Sequence, residues 1–151
     1  MCRVFCEAWL PKLKHLRVLS LSSYVISKLP KSLGELIYLR YLDLSHTLIV
    51  ELPSWTCLLF NLQMLLLSTC RQLTVLPAKS LGLLKILRYF DLSQTAITEL
   101  PSSTCSLTNL QTLLLSKCHR LTMLPEEIGR LSNLSLLDLS ETNLQPTLIR
   151  N

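Results

Sequence analysis

Few acidic side chains are placed where they could do chemistry. Asp43, Asp91 and Asp138 are the only aspartates of the 151-residue chain, and Ser45 and His46 follow the first of them closely. Two carboxylates held together can share the acid and base roles of glycoside hydrolysis, and a Ser, His and Asp set can activate a nucleophile. Whether either chemistry is feasible depends on the elements that carry these residues.

Six cysteines form the other reactive group. Cys57 and Cys105 are 48 residues apart, and so are Cys70 and Cys118, whereas Cys2 and Cys6 lie near the N-terminus. The chain has no Cys-x-x-Cys pair, so the spacing does not predict a zinc site. With only three glycines, it also lacks both Gly-x-Gly-x-x-Gly and Gly-x-x-x-x-Gly-Lys-Ser/Thr. We therefore expect no metal, no nucleotide and no other cofactor.

Leucine makes up 41 of the 151 residues, and it recurs in a fixed pattern. The motif Leu-x-x-Leu-x-Leu begins at residues 16, 39, 62, 87, 110 and 134, which gives the 23- to 25-residue period of leucine-rich repeats. The pattern predicts an α/β solenoid: a right-handed horseshoe arc with a parallel β-sheet on the concave face and loops or short helices on the convex face. We expect residues 1–15 to be an N-terminal flank or partial cap, and 16–151 to hold five full repeats and a truncated sixth from 134.

Positions are counted here from the first Leu of each repeat. Positions +3 and +5 are apolar throughout, and because alternate residues of a strand face opposite ways, +2, +4 and +6 must line the concave face. The aspartates all fall at +4, with Leu66 and Leu114 between them, so they lie about 10 Å apart. Asp43, Ser45 and His46 are neighbours on one strand and its turn, so no separate loop brings the imidazole between the other two groups. They therefore do not form a catalytic triad. We therefore expect no enzyme.

Two kinds of repeat alternate, so the true unit is a pair of 48 residues. One kind has Thr47 or Thr95 at +8, and the other has Cys70 or Cys118. Equivalent cysteines lie two repeats apart, about 10 Å, which is too far for a disulfide. We expect the small side chain at +8 to hydrogen-bond the turning backbone, which is a structural role.

The concave face is the candidate binding site. Tyrosine and methionine are residue types that protein interfaces favour, and apolar residues at exposed strand positions indicate a surface that a partner covers. The alternative is that Leu66 and Leu114 merely pack against their neighbours. The candidate binding residues are Tyr41, Asp43, Met64, Leu66, Tyr89, Asp91 and Leu114.

The net charge of +5 is confined to one end of the chain. Residues 1–31 carry six Lys or Arg and one acid, whereas residues 32–151 are balanced, with nine of each sign. The balanced part argues against nucleic-acid binding, and the basic end favours contact with an acidic protein surface.

Glu7 and Lys12 interrupt any secretory signal, and the uncharged stretch from Leu52 to Cys70 contains Pro53 and six polar residues. We expect a cytoplasmic protein without a membrane span. The sixth repeat has Gln145-Pro146 where other repeats have Leu-Pro, and no polar closing repeat follows. An uncapped end predicts self-association through the C-terminal repeat.

Several segments carry a more specific resemblance: LRVLSL, ISKLP, LRYLDLSHT, ITELP, NLQTLLLSKC and LTMLP, in this order. The chain resembles the leucine-rich-repeat region of plant coiled-coil nucleotide-binding leucine-rich-repeat disease-resistance proteins over about residues 10–145. The resemblance implies a recognition module of an intracellular immune receptor, in partial or truncated form. Its implied partners are a pathogen effector, a host protein or a nucleotide-binding domain. The alternative is a generic cytosolic leucine-rich-repeat scaffold outside immunity.

Overall fold

One parallel β-sheet organises the chain. The computed structural model describes residues 8–145. Six strands pair in chain order, each with the next, so every repeat adds one strand to an open sheet. The strands are Val18–Ser20 (β1), Tyr41–Asp43 (β2), Met64–Leu66 (β3), Tyr89–Asp91 (β4), Thr112–Leu114 (β5) and Leu136–Asp138 (β6). This architecture confirms the predicted fold class, a leucine-rich-repeat solenoid arc.

The middle residue of every strand faces the core. Leu42, Leu65, Phe90 and Leu113 are aligned across β2–β5 and are fully buried. The leucines at +5 in the same repeats are buried as well. In β6, however, Leu137 is 39% exposed, because no later repeat packs against β6 in the described part of the chain, whereas Leu19 of the other edge strand, β1, is 8% exposed.

The convex side is built from 3₁₀ helices, and the α-helical residues in the described part of the chain are Ala8 and Trp9, directly before the first 3₁₀ helix. Four of these helices begin directly after the proline of a Leu-Pro pair, where the ring fixes φ and the missing N–H removes a ladder bond. Their short length is typical of 3₁₀ geometry. The six helices are Leu10–Lys12, Lys31–Glu35, Ser54–Leu58, Leu81–Leu83, Ser102–Ser106 and Glu126–Arg130.

The N-terminal flank differs from its prediction in one respect. Ala8 to Leu16 could place Trp9, Leu10, Leu13 and Leu16 on one helical face. Leu10 is indeed fully buried, and Trp9 and Leu16 pack against the core. The prediction is wrong for Leu13, which is 42% exposed, because the helix ends at Lys12 and Leu13 leaves the helical conformation.

No helix among residues 8–145 is long and apolar enough to cross a membrane.

Candidate functional site

The +2 row of the concave face is formed by β2, β3 and β4. The strand register places Met64 beside Tyr41 on one side and beside Tyr89 on the other. Neighbouring strands are about 4.8 Å apart, so the three side chains form a continuous row. All three are half-buried, because each is flanked by the side chains of adjacent strands. The row therefore offers a flat, partly shielded aromatic and thioether surface.

The +4 row alternates between acidic and apolar side chains. Asp43, Leu66, Asp91 and Leu114 are aligned in register from β2 to β5, and all are half-buried. The Oδ1 atom of Asp43 accepts a hydrogen bond of 2.9 Å from the backbone N–H of Ser45, and Asp91 does the same for Ser93. The carboxylates thus hold the turn that leaves each strand. Their remaining lone pairs can still accept hydrogen bonds from a partner.

The geometry around His46 does not form a nucleophile–base chain. Asp43 contacts Ser45 through the serine backbone N–H, not through its hydroxyl. The His46 backbone lies in the left-handed region with φ 60°, and its side chain is exposed. Within residues 8–145, no three His, Cys, Asp or Glu side chains come together as a metal site.

Burial and the neighbouring aspartates raise the pKa of Tyr41 and of Tyr89. Burial raises the pKa of Tyr41, and the charge of Asp43 and a hydrogen bond to it raise that pKa further. Burial, followed by the charge of Asp91, raises the pKa of Tyr89. Both phenols therefore keep their protons at neutral pH. A protonated phenol can donate a hydrogen bond to a partner while its ring supplies apolar area.

The prediction for position +8 is confirmed. The Thr47 hydroxyl donates a hydrogen bond of 2.8 Å to the Leu44 carbonyl, and the Cys70 thiol of the next repeat donates one of 3.1 Å to the same oxygen. Thr95 and Cys118 make the equivalent pair of bonds to the Leu92 carbonyl. Threonine thus satisfies a carbonyl of its own repeat, and cysteine satisfies one in the repeat before.

The four described cysteines carry free, buried thiols. Burial raises the pKa of Cys57, Cys70 and Cys105, so these three thiols stay protonated. A protonated, buried thiol is a poor nucleophile and a poor metal ligand. The structure thus supports a packing and hydrogen-bonding role for these side chains. Cys2 and Cys6 lie outside the described residues.

Sequence reasoning placed all seven candidate binding residues on one face, and the structure brings them together on β2–β5. They are half-buried where the sequence suggested open exposure, and no partner is present to test their role. Their role in binding therefore stays a prediction.

A second surface, which sequence reasoning missed, lies just ahead of the strands. We call it the leading edge. It consists of the residues between each 3₁₀ helix and the following strand, together with the last residues of the helix. Six large apolar side chains in three successive repeats are between 38% and 53% exposed there: Ile37, Tyr38, Leu58, Phe60, Leu83 and Ile86. The later repeats have polar residues such as Ser106 and Thr108 at equivalent positions, and this contrast was the available signal.

Comparisons with known proteins agree with the fold. A family model described as a leucine-rich repeat region matches residues 60–151. A protein of Arabidopsis thaliana that is named as a disease resistance protein is 64% identical over 61 residues. That match covers 40% of this chain and 4% of the relative, so the chain spans only a small part of that protein's length. The resemblance to the repeat region of plant disease-resistance proteins is thus confirmed.

Solved structures of other proteins have the same leucine-rich-repeat fold. One is the leucine-rich-repeat ectodomain of the Arabidopsis thaliana receptor kinase GASSHO1/SCHENGEN3 in complex with CASPARIAN STRIP INTEGRITY FACTOR 2. It has a TM-score of 0.75 and 30% identity, over 93% of this chain and 18% of that one. Another is the TLR13–ssRNA13 complex, with a TM-score of 0.78 and 29% identity, over 93% of this chain and 20% of that one.

Proposed function

The chain belongs to the leucine-rich repeat region family, and from this premise we propose that it is a non-enzymatic protein-recognition module of a plant intracellular immune receptor. The observation that carries the proposal is the 64% identity to a named disease resistance protein, in a chain whose concave face presents a continuous row of Tyr41, Met64 and Tyr89. Because the matched segment is a small part of that relative, the module would act as one part of a larger signalling protein, in the cytoplasm.

The concave face favours a protein ligand. Its strand positions +2 and +4 carry no Lys or Arg in any of the six repeats, and three of them carry Asp. Carboxylates repel phosphates, so a nucleic acid is disfavoured here even though one solved relative is a complex with single-stranded RNA. Tyrosine and methionine rows are instead typical of protein interfaces. The proposed partners are a pathogen effector, a host protein or a nucleotide-binding domain.

The experiment starts from a partner isolated by pull-down and measures its affinity for variants of the chain. Tyr41→Thr with Tyr89→Thr removes both rings and leaves the residue type that Thr112 already provides at +2. We expect binding to weaken at least tenfold, since buried tyrosines are frequent hot spots. Lys31→Ala with Lys79→Ala, on the convex side, is the matched control and should change affinity less than twofold. Equal losses in the two double variants, at unchanged stability, would contradict the proposal.

The second candidate function is a leucine-rich-repeat scaffold outside immunity, since the fold alone does not specify a pathway. Genomic sequence upstream of Met1 separates the two candidates. An in-frame phosphate-binding loop there supports the receptor, and a different in-frame domain supports the scaffold.

A further inference from the structure

The leading edge is apolar in three repeats, although a later repeat has polar residues at the same positions. Leu58 and Phe60 are both about half exposed, and one 48-residue unit later Ser106 and Thr108 occupy the same positions. The fold therefore tolerates small polar residues at these sites. Exposed Ile37, Tyr38, Leu83 and Ile86 extend the apolar area to the repeats on either side. Exposed apolar side chains in successive repeats are typical of a surface that a partner covers.

Contacts within the leading edge hold this surface in place. The His15 ring stacks on Tyr38, with centroids 5.6 Å apart and planes 19° apart. The Asn61 side chain donates a hydrogen bond of 2.7 Å to the Ile37 carbonyl, which ties the loop carrying Phe60 to the previous repeat. A partner would therefore meet a surface that is ordered before binding.

The same edge carries five positive charges against one negative charge, that of Glu35. A backbone ladder joins the residues at +1: the Arg40 N–H donates to the Arg17 carbonyl, and Gln63 in turn links Arg40 to Arg88, with bonds of 2.8 Å. Lys14 and Lys85 lie on the same edge, next to this row. Segments 14–17, 37–40, 60–63 and 85–88 contain no Asp or Glu.

Nothing in the described part of the chain neutralises these five cations. The ion pair found among residues 8–145 joins Arg130 to Glu127, far along the arc, and Lys85 contacts only a backbone carbonyl. Glu35, the last residue of its 3₁₀ helix, is the one acid of the leading edge in these repeats, and within the described residues no ion pair joins it to the five cations. Unpaired cations beside exposed apolar side chains call for a ligand that supplies both carboxylates and apolar groups.

The opposite edge, where the chain leaves the strands, does not define a partner in this way. It also exposes Leu48, Val50 and Val75. Its charges, however, are of both signs, since Glu51 and Arg71 lie within the same loops. Charge complementarity therefore singles out the leading edge.

We propose that the leading edge docks an acidic, amphipathic polypeptide segment of a partner protein. Its apolar residues cover Phe60 and its neighbours, and its carboxylates bind the guanidinium groups of Arg17, Arg40 and Arg88. The ladder spaces Arg17 and Arg40 by about 5 Å and Arg40 and Arg88 by about 10 Å, and an ordered polypeptide can match these intervals. Arginine suits this role because its planar fork binds a carboxylate through two parallel hydrogen bonds.

Two other ligand classes fit less well. Lipid headgroups are mobile and make no use of a fixed spacing between cations. Nucleic acids supply spaced charges but no aliphatic groups to cover Ile37, Leu58 and Leu83. This docking surface is separate from the concave site, so the proposal for the leading edge does not depend on the proposed function.

The test uses the full 151-residue chain and a fluorescent twelve-residue peptide in which Glu and Asp alternate with Leu and Phe. Fluorescence anisotropy of the peptide measures binding. We expect the chain to bind this peptide. A peptide in which Lys replaces every Glu and Asp should bind at least tenfold more weakly. Leu58→Ser with Phe60→Thr should weaken binding at least tenfold. Arg17→Gln with Arg40→Gln should do the same, and Gln is already present at +1 in Gln63 and Gln111.

The matched control lies on the opposite edge and uses the same 48-residue offset. Leu48→Ala with Val50→Thr installs the residues found at Ala96 and Thr98, and it should leave peptide affinity within twofold. Tyr41→Thr with Tyr89→Thr should also leave it unchanged. A loss of peptide binding in this concave variant would overturn the proposal by placing the peptide on the concave face.

Two further outcomes would also overturn it. One is equal affinity of the leading-edge variants and the unaltered chain for the acidic peptide. The other is binding to phosphatidylserine-containing vesicles or to a single-stranded RNA twelve-mer with no binding to the peptide. Circular dichroism of every variant shows that the fold is retained, so that a lost affinity reports the surface and not unfolding.

Discussion

The turn after each strand imposes a backbone conformation that most side chains avoid. The residue at +7 has φ between 55° and 66° in all six repeats, and none of the six is glycine: they are Ser23, His46, Thr69, Gln94, Lys117 and Glu141. The N–H of the first five donates to a carbonyl in the next repeat, as in the 2.8 Å bond from Thr69 to Ser93. The left-handed residue thus extends the ladder one step beyond the strand. This inter-repeat bond offsets the local steric cost.

At this scale we predict that Thr69→Asn stabilises the fold. A β-branched residue is poorly suited to the left-handed region, whereas Asn tolerates it, so we expect the free energy of unfolding to rise by about 0.5–1 kcal/mol. Urea denaturation measures the change. Thr108→Asn is the control, because Thr108 is exposed in a loop without positive φ, and it should stay within about 0.5 kcal/mol. A gain at Thr108 equal to that at Thr69 would contradict the steric explanation.

Among the elements, the 3₁₀ helices of the convex side differ in how closely they approach each other. A Cβ atom added at Gly82 would lie 2.9 Å from the Ser103 carbonyl oxygen and 3.0 Å from the Ser106 Cβ. At Gly129 an added Cβ would meet nothing within 4 Å. The helix Leu81–Leu83 therefore needs glycine for close packing against the next repeat, whereas the helix Glu126–Arg130 does not.

We accordingly predict opposite effects for two identical substitutions. Gly82→Ala should lower the free energy of unfolding by about 1–3 kcal/mol, because backbone atoms must shift to admit the methyl group. Gly129→Ala should be neutral or stabilising by up to about 1 kcal/mol, because it restricts the unfolded chain without a clash. Thermal and urea denaturation of both variants provide the measurement. A similar loss in both variants would show that inter-helix contact does not explain the glycine at 82.

On the scale of the whole molecule, the two ends of the array are unlike. At the core position +3, Leu19 of β1 is 8% exposed, whereas Leu137 of β6 is 39% exposed; at +2 both edge strands are open, with Val18 62% and Leu136 48% exposed. A strand edge that is both unpaired and apolar is a template for pairing with another chain. Among residues 8–145, β6 has such an open edge, and self-association through it stays a prediction.

We predict that the purified 151-residue chain self-associates through β6. Light scattering should give a mass above that of the 17.2 kDa chain, with a concentration dependence. Leu136→Lys should shift the protein toward monomer, because a charge on an edge strand opposes pairing. Thr112→Lys, at the same +2 position of β5, is the matched control and should leave the mass unchanged, because β5 is paired on both sides. A monomeric, cooperatively unfolding chain of ordinary stability would refute the prediction.

Much of the fold follows from the amino-acid pattern. The 23- to 25-residue period predicts one strand per repeat, and strand alternation assigns +3 and +5 to the core, as the burial of Leu42 and Leu44 confirms. The alternation of Thr47 with Cys70 predicts a backbone hydrogen bond at +8, and both residues bond the Leu44 carbonyl. These features depend on residues within one repeat or on its immediate neighbour, so periodicity alone reveals them.

Other features required the tertiary structure. Tyr41 and Tyr89 are half-buried because side chains of adjacent strands flank them, and a linear pattern does not show how far this shielding goes. The residue at +7 has a positive φ but is not glycine in any repeat, so the sequence does not indicate this conformation. The leading edge unites Ile37, Phe60 and Ile86 from three repeats, beside arginines aligned by the ladder. Periodicity identifies which face a residue takes, but exposure and surface chemistry arise only when the repeats stack, because they depend on neighbours that are distant in the chain.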